Sequence, residues 1–452
     1  MPIPAVIRSV LLIFPTTAAS AAKQTGIGLN QKPFKREFSM SSIPTDFTES
    51  SKHLEAAKQT TDLPEITCGR SDFQQRVQVS PWRKCILTIG IFFSITPCSW
   101  SQEKADISRA GNEQVAEIMR TFGGRGVMAD GSSPTPAMDA TKEFKARDGV
   151  EIQLVASEPT VQQPLFISWD SRGRMWVIQY RQYQFPAGLK VVRYDQHLRA
   201  VFDKVPDPPP RGTPGVDKIT VHEDTNGDGF FDSSKDVITN LNIATSVQVG
   251  NGSIWVLNPP YLLRYPDENR DDIPDGDPEV HLSGFGLQDT HSVANSLLWG
   301  PDGWLYGANG STTVGDVSSE VSKGVRFQGQ CIWRYHPNSK EFEIYAEGGG
   351  NTFSLEIDSQ GRVFSGTNGG NTRGWYYPQG SYSAKNWGKH GPLTNPYALG
   401  FFGPMKFEGD ARRFAQAFCI YEGGLLSDEY DGTIVAPNAL SLIHISEPTR
   451  PY

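Results

Sequence analysis

The chain has 452 residues and a formal net charge of −8, with 42 Lys and Arg against 50 Asp and Glu. This acidic balance, together with a sequence that contains no basic stripe, argues against a nucleic-acid partner. Glycine (45 residues) and proline (32 residues) are abundant, while only 38% of the residues are hydrophobic. Such a composition favours many short strands joined by turns over long amphipathic helices.

The first part of the chain carries two segments with the layout of export signals. One follows Arg8 and has an apolar run at residues 10–14, and the other spans residues 81–101, with an apolar core at 85–97. That core is shorter than the roughly 20 residues of a membrane span. We predict that residues 81–101 are a signal peptide, with a buried strand as the alternative, and that the protein is exported to the periplasm or cell envelope. The polar, irregular residues 1–80 are then expected not to be native coding sequence.

Residues 102–145 are predicted to form a short helix and a linker. Apolar residues recur at helical spacing over 107–122, and a Gly/Ser/Pro segment follows at 131–136. At the other end, residues 441–452 resemble a translated sequencing adapter. We therefore expect His444 to carry no function and the chain to be truncated near residue 440.

Four stretches between residues 146 and 440 repeat an apolar run, a polar turn ending in glycine, one residue and an apolar-aromatic pair. The turn glycines are Gly173, Gly252, Gly303 and Gly361. Each stretch predicts a β-hairpin, because a glycine-containing tight turn joins two β-prone runs. These glycines are 79, 51 and 58 residues apart. Self-similarity at roughly 40–50 residues, with insertions, is typical of a β-propeller. We predict an all-β fold in which residues 146–440 form a propeller, six-bladed when complete and with about four blades readable.

Two acidic segments place oxygen atoms at the spacing of a calcium loop, in which side chains two residues apart converge on one hard cation. The predicted ligands are Asp224, Asn226, Asp228, Phe230 (backbone) and Asp232 in the first loop, and Asp267, Asn269, Asp271, Ile273 (backbone) and Asp275 in the second. Neither segment has the Glu that ends an EF-hand loop. We predict structural Ca²⁺ at both, with a solvated acidic turn as the alternative.

His291 directly precedes the third hairpin. The first strand of a propeller blade faces the central funnel, so His291 is expected to lie over the axis. An imidazole there is a candidate general base for removing a hydroxyl proton while hydride leaves. The alternative is a histidine that only bonds a loop carbonyl.

The hairpin series, His291 and the Gly-Pro-Asp-Gly turn at 300–303 resemble the glucose/sorbosone dehydrogenase propellers, quinoproteins that use pyrroloquinoline quinone. More closely, residues 145–440 resemble the planctomycete-type membrane-bound dehydrogenase family, whose members often add a cytochrome c domain. The resemblance implies oxidation of a sugar or other alcohol. The chain has no C-x-x-C-H haem-attachment motif, so a cytochrome c electron acceptor would be a separate chain or a part missing from this one.

The family's functional residues match this chain in part. The catalytic His of the quinoproteins corresponds to His291, and the Asp that assists it corresponds to Ser311. The Arg-Asn cofactor motif corresponds to residues 350–351, where Asn351 matches and the Arg is replaced by Gly. The resemblance thus implies His291 as catalytic base and Asn351 as a cofactor ligand, with Arg326 as a candidate substitute for the missing cation.

An irregular segment between residues 372 and 404 is crowded with aromatic rings. Rings with polar handles stack on sugars and flat cofactors. From this segment the predicted substrate-binding residues are Trp375, Tyr377, Trp387 and His390. The alternative is a long connection that packs on its own blade.

Three functions are compatible with these patterns. The preferred one is an exported quinoprotein-like dehydrogenase that oxidises a carbohydrate or other small alcohol. The second is a non-catalytic, calcium-stabilised propeller that binds carbohydrate or protein. The third is a lactonase-like hydrolytic propeller, which needs carboxylates directed at the axis.

Overall fold

The computed structural model describes residues 9–15, 135–146, 150–183, 185–195, 199–367, 372, 374–385, 391–406, 417–423, 426, 428–437 and 444–448. The chain divides into two compact units, residues 1–24 with 104–452 and residues 25–103, and every described residue belongs to the first unit. The predicted signal peptide and the predicted helix at 107–122 lie outside the described residues. Within the described part, no helix is long and apolar enough to cross a membrane.

Short strands make up nearly all of the regular structure, as the glycine- and proline-rich composition predicts. In chain order the elements are β1 (Ser9–Pro15), α1 (Ala137–Glu143), β2 (Val150–Ser157), β3 (Pro164–Trp169), β4 (Met175–Gln179), β5 (Val191–Tyr194), β6 (Ala200–Phe202), β7 (Asp217–Glu223), β8 (Ser233–Leu241), β9 (Ser246–Val249), β10 (Ser253–Asn258), β11 (Tyr261–Pro266), β12 (Glu279–Phe285), β13 (Ala294–Trp299), β14 (Leu305–Asn309), β15 (Val314–Ser318), β16 (Val325–Gln328), β17 (Cys331–Tyr335), β18 (Phe342–Gly349), β19 (Glu356–Ile357), β20 (Val363–Ser365), β21 (Trp375–Tyr376), β22 (Ser381–Lys385), β23 (Gly400–Phe401), β24 (Cys419–Tyr421), a 3₁₀ turn (Asp428–Tyr430), β25 (Thr433–Pro437) and β26 (His444–Pro448).

The fold is all-β, and its strands form several mainly antiparallel sheets. Three of them begin with four strands in up-and-down order: β3-β4-β7-β8, then β9-β10-β11-β12 with β15 and β16 beyond, then β13-β14-β17-β18. The third sheet continues with β22 and β23, which pair in parallel. Smaller sheets are β19-β20-β21, β24-β25-β26, β1-β2 and β5-β6.

All four predicted hairpins are confirmed. The paired strands are β3 with β4, β9 with β10, β13 with β14, and β19 with β20, and each pair is antiparallel. The turn glycines have φ between 64° and 80°. This left-handed backbone is one that residues with a Cβ rarely adopt, which explains why glycine ends each turn.

The hydrophobic core lies between successive sheets. One cluster includes Trp176 and Ile219 of the first sheet with Ile254 and Leu263 of the second. A second cluster joins Trp255, Leu262 and Leu282 to Leu305 and Trp333 of the third sheet. Because burial of one such side chain contributes about 1.5–3 kcal/mol, these interfaces hold neighbouring sheets together.

The first strands of successive sheets are also joined directly by hydrogen bonds. In each bond, a side chain of one first strand donates to a backbone carbonyl of the next first strand or, in the last case, of the segment just before it. These hydrogen bonds run from Ser168 Oγ to Val247 O (3.0 Å), from Gln248 Nε2 to Leu297 O (2.9 Å) and from Asn295 Nδ2 to Thr352 O (3.2 Å). The donors are buried. Since a buried polar side chain without a partner is costly, these bonds determine which sheet lies beside which.

Two short elements lie in or beside the segments predicted to be a linker and an adapter-derived end. Helix α1 begins directly after Pro136, the last residue of the predicted Gly/Ser/Pro segment, and it buries none of its residues. Residues 444–448, within the segment that resembles a sequencing adapter, form β26 and pair with β25. This pairing places His444 opposite Pro437 at the edge of the last sheet.

Candidate active site around His291

His291 lies in the loop between β12 and β13. Asp289 begins a local turn there: its Oδ1 accepts the backbone N–H of His291 (3.1 Å), and its carbonyl accepts the N–H of Ser292 (2.9 Å). Aspartate readily forms such side-chain-to-backbone turns. The turn holds the Asp289 side chain on the same side of the loop as the imidazole of His291.

The imidazole of His291 pairs with the same carboxylate. Its Nδ1 lies 3.1 Å from Asp289 Oδ1, and the His291 side chain is 38% exposed. A carboxylate only accepts hydrogen bonds, so Nδ1 carries the proton and Nε2 of the neutral ring has a free lone pair. Within the described residues, Nε2 has no protein hydrogen-bond partner. The arrangement is that of an oriented general base.

The other oxygen of Asp289 is also held. Thr312 Oγ1 donates to Asp289 Oδ2, and Thr312 itself is almost fully buried. Burial alone would raise the pKa of Asp289, but the hydrogen bonds from His291 and Thr312 and the charge of His291 hold that pKa well below its usual range. Asp289 is therefore an anion at every pH at which the protein is expected to work.

Two further side chains complete the surroundings of His291. The ring of Tyr183 meets the imidazole edge-on, with centroids 5.3 Å apart. Burial, then the charge of Asp289, raises the pKa of Tyr183 to about 12, so its hydroxyl keeps its proton. Arg199 donates from Nη1 to the carbonyl of Thr312 (3.1 Å) and from Nε to Asp195 (2.6 Å).

The resemblance to the quinoproteins left His291 without a carboxylate partner, because the corresponding position holds Ser311. In the structure, Asp289 brings a carboxylate to His291 from the N-terminal side. A signal for this was present in the sequence, since Asp289 stands two residues before His291, at the spacing of an Asx turn. Thr312 and Tyr183 had no such signal, because they come from other loops.

The two predicted cofactor ligands lie in different settings. Asn351 Oδ1 accepts the backbone N–H of Ser311 (2.8 Å), so it contacts the segment next to Thr312. Arg326 lies on β16 and pairs with Asp316 of β15 (3.0 Å), with 79% of its side chain exposed. Arg326 is thus part of a surface cross-strand ion pair.

The first predicted calcium loop, residues 224–232, folds around its own backbone. Asp224 accepts the N–H groups of Gly227, Asp228 and Gly229, at 2.7, 3.2 and 2.8 Å. The remaining bonds run from Asp228 N to Asn226 Oδ1, from Phe230 N to Asp228 Oδ1 and from Thr225 N to Asp232 Oδ1. Asp224 and Asp232 thus use both carboxylate oxygens to order the loop, and Asn226 and Asp228 use one oxygen each.

The second predicted loop, residues 267–275, repeats most of this hydrogen-bond framework, except that the N–H of Arg270 bonds the backbone carbonyl of Asp267 and not its side chain. The bonds run from Asp271 N and Asp272 N to Asp267, from Asp271 N to Asn269, from Ile273 N to Asp271 and from Glu268 N to Asp275, at 2.8–3.2 Å. Burial, then the charges of Asp272 and Asp271, raise the pKa of Asp267 against the lowering effect of its backbone hydrogen bonds.

Both loops are attached to neighbouring structure. Lys235, which occupies the place of the EF-hand Glu in the first loop, donates to the carbonyl of Asp271 in the second (2.8 Å). Asp272 turns away from its loop and pairs with Arg174, which also pairs with Asp170 of the first hairpin turn. In the described part of the chain, no group of three or more His, Cys, Asp and Glu side chains is gathered as a metal site.

A protein-family model with the description "Domain of unknown function (DUF7133)" matches residues 136–441. The chain belongs to the DUF7133 family. The match runs from helix α1 through β25 and includes His291 and both acidic loops. No curated protein matches the chain.

Among solved structures, the DUF7133 chain is similar to a puromycin-hydrolyzing peptidase of Mycobacterium tuberculosis, with 12% identity over 66% of this chain and 48% of that one and a TM-score of 0.28. It is also similar to the extracellular domain of the one-component system BT4673 of B. thetaiotaomicron, with 13% identity, 63% and 38% coverage and a TM-score of 0.24. The chain spans less than half the length of these two proteins, and TM-scores this low carry no argument about function.

The predicted aromatic wall of the DUF7133 chain is corrected in two positions. Trp375 and Tyr377 are buried in the core cluster that joins the third sheet to β19-β20-β21, and Tyr377 Oη donates to the carbonyl of Gly348 (3.1 Å). These rings pack on their own sheets because their apolar area is larger than their single polar group, so they are not presented to a ligand. Trp387 and His390 lie outside the described residues.

Proposed function

We propose that this chain is the alcohol-oxidising propeller of an exported quinoprotein-like dehydrogenase, acting on a carbohydrate or other small alcohol with His291 as general base. The observation that carries the proposal is the Asp289–His291 pair, in which Nδ1 faces the carboxylate, Nε2 has no hydrogen-bond partner among the described residues, and the His291 side chain is 38% exposed. In this reaction Nε2 would take the hydroxyl proton of the substrate, and accepting the hydride is the chemistry that a bound quinone would supply. Export and a cytochrome c partner are part of the same proposal.

The up-and-down order of three four-stranded sheets supports the propeller arrangement within this proposal. The hydrogen bonds between the first strands of successive sheets also support it, since first strands meet around the axis of a propeller. His291 immediately precedes one of these first strands, β13. In this arrangement, substrate would reach the imidazole through the mouth of the funnel.

Pyrroloquinoline quinone fits the described residues incompletely. The molecule carries carboxylates, and a bound quinone that gains negative charge calls for cations. Arg199 touches the His291 site, but its Nε and Nη1 are already bonded to Asp195 and Thr312. Arg326 is an exposed surface residue. We therefore derive no step through the quinone, and its binding is an experimental question.

The proposal is tested by adding pyrroloquinoline quinone and Ca²⁺ to the purified full chain and following dye reduction with a panel of sugars and small alcohols. We expect His291→Gln to lower the rate at least 100-fold, the usual contribution of a general base. The matched control is His336→Gln, because His336 lies in a different turn, where its Nδ1 accepts the backbone N–H of Ser339 (3.1 Å) and its ring packs against Trp304 (centroids 5.1 Å apart). Equal rates for the parent and His291→Gln, or no reduction with any alcohol, would remove the dehydrogenase proposal.

A second candidate function is a non-catalytic propeller, stabilised by calcium, that binds carbohydrate or protein. The two acidic loops favour it, because the same hydrogen-bond framework recurs in both. We expect 1 mM Ca²⁺ to raise the melting temperature and EDTA to reverse the rise, since a ligand of the native state stabilises it. Asp224→Asn and Asp267→Asn should each remove part of the rise. An unchanged melting temperature in EDTA would refute calcium at these loops.

A further inference from the structure

The hydroxyl of Thr312 can donate its proton to only one of its two hydrogen-bond partners. The oxygen Oδ2 of ionised Asp289 can only accept, so Thr312 must give its single proton to Asp289. The lone pairs of Thr312 Oγ1 then accept from Ser292 Oγ, which lies 2.6 Å away. Ser292 Oγ in turn accepts the backbone N–H of Thr312 (3.3 Å). Ser292 and Thr312 thus form a closed pair of donors and acceptors.

This pair is buried, whereas the imidazole it supports is not. Thr312 and Ser292 are 1% and 2% exposed, against 38% for the His291 side chain. Buried hydrogen bonds to a charged group are stronger than exposed ones, because water does not compete for the donor. Asp289 is consequently held on one oxygen by a buried hydroxyl and on the other by His291.

We propose that Thr312 is a positioning residue that orients the carboxylate of Asp289 and thereby determines which nitrogen of His291 is free. The catalytic purpose of this role rests on the proposed function, whereas the hydrogen-bond geometry of Thr312 and Asp289 does not depend on any substrate. Without the Thr312 hydroxyl, Asp289 keeps the bonds of its Oδ1 to the backbone N–H and Nδ1 of His291, but its Oδ2 is no longer held. The acceptor that keeps the imidazole proton on Nδ1 is then oriented less firmly.

Among the described residues, the charged and titratable groups around Asp289 come from neighbouring loops. His291 faces it from the loop before β13 and Tyr183 from the loop after β4, and Arg199 contacts the carbonyl of Thr312 from the β5–β6 hairpin. Burial and the charge of Asp289 raise the pKa of Tyr183, so its hydroxyl keeps its proton. The proton between Nδ1 of His291 and Oδ1 of Asp289 is therefore the one whose position depends on how Thr312 holds the carboxylate.

The test measures the tautomer of His291 in ¹⁵N-histidine-labelled full chain at pH 8, with the signal assigned from His291→Gln. The parent is expected to show the Nδ1–H tautomer. In Thr312→Val, the ratio of Nδ1–H to Nε2–H tautomer is expected to fall about tenfold, the equivalent of one hydrogen bond to a charged group. Thr312→Ser keeps the hydroxyl and is expected to restore the parent ratio.

Thr313→Val is the matched control. Thr313 is equally buried, and its hydroxyl donates to the carbonyl of Ser292 (2.7 Å) without touching Asp289. We expect Thr313→Val to lower the free energy of unfolding as Thr312→Val does, while leaving the tautomer ratio of His291 unchanged. An unchanged ratio in Thr312→Val, or an equal change in Thr313→Val, overturns the assignment.

An activity arm separates this inference from the proposed function. If the chain oxidises alcohols, Thr312→Val is expected to lower kcat with little change in KM, and Thr312→Ser to recover it. If no alcohol is oxidised, the proposed function fails, but the tautomer measurement still decides the role of Thr312.

Discussion

The buried histidine of β7 allows a quantitative prediction of pH-dependent stability. His222 is fully buried; its Nε2 lies 2.8 Å from Thr220 Oγ1, and its Nδ1 has no partner among the described residues. Burial, then the nearby charge of Lys218, lowers the pKa of His222 from 6.5 to about 4. A protonated imidazole would have to lose its hydration without gaining an anionic partner. The folded protein therefore resists protonation that the unfolded chain accepts.

The sign and size follow from proton linkage. As pH falls below 6.5, the unfolded chain binds a proton at His222 before the folded protein does, so the free energy of unfolding falls. The fall continues until the folded pKa near 4 is passed and is then constant. With these two pKa values, the loss between pH 7.5 and pH 4.5 amounts to about 2–3 kcal/mol from this one group.

The assay is urea denaturation of the parent and of His222→Gln at the two pH values. Glutamine keeps an amide for Thr220 but does not titrate, so the variant should lose about 2–3 kcal/mol less than the parent on acidification. All other groups titrate alike in both proteins and cancel in the difference. The same pH dependence in both proteins would show that His222 is not buried in its neutral form.

Three other substitutions test the packing that surrounds the candidate sites. Lys385→Met leaves the buried carboxylate of Glu347 without its cation, and the free energy of unfolding should fall by about 3–5 kcal/mol. Arg174→Met similarly removes the buried partner of Asp272 and should cost about 3 kcal/mol, with little dependence on salt concentration. Gly173→Ala places a Cβ in open space at φ +76°, so only backbone strain of about 1–2 kcal/mol is expected.

Urea denaturation at pH 7.5 checks all three values against the parent. The surface ion pair between Arg326 and Asp316 offers a control, because Arg326→Met removes a cation that is 79% exposed and should change stability by less than about 1 kcal/mol. If Lys385→Met and Arg174→Met cost no more than this control, the burial of their ion pairs is contradicted.

The hairpins were predictable because their information is local. A turn glycine and the alternation of its flanking residues lie within a dozen residues, and positive φ values at Gly173 and Gly303 explain why glycine stands there. The acidic loops were predictable for the same reason. Their side chains bond backbone groups no more than seven residues away.

The surroundings of His291 were predictable only in part. Asp289 is a near neighbour in the chain, and its role as an Asx-turn residue could have been inferred. Thr312 and Tyr183 reach the imidazole from other loops, and only the pairing of β13 with β14 brings Thr312 to Asp289. Trp375 and Tyr377 were misassigned because an aromatic ring with a polar handle suits a ligand wall and a sheet interface equally well.

By itself, the sequence determined the all-β class, the four hairpins and the two acidic loops, since each depends on residues that meet within one turn of backbone. Only the tertiary structure decided that Thr312 holds the carboxylate of Asp289 and that the side chain of Asp272 pairs with Arg174 instead of its own loop. These contacts join residues up to about a hundred positions apart. Their partners are selected by the order in which the sheets pack and not by any pattern along the chain.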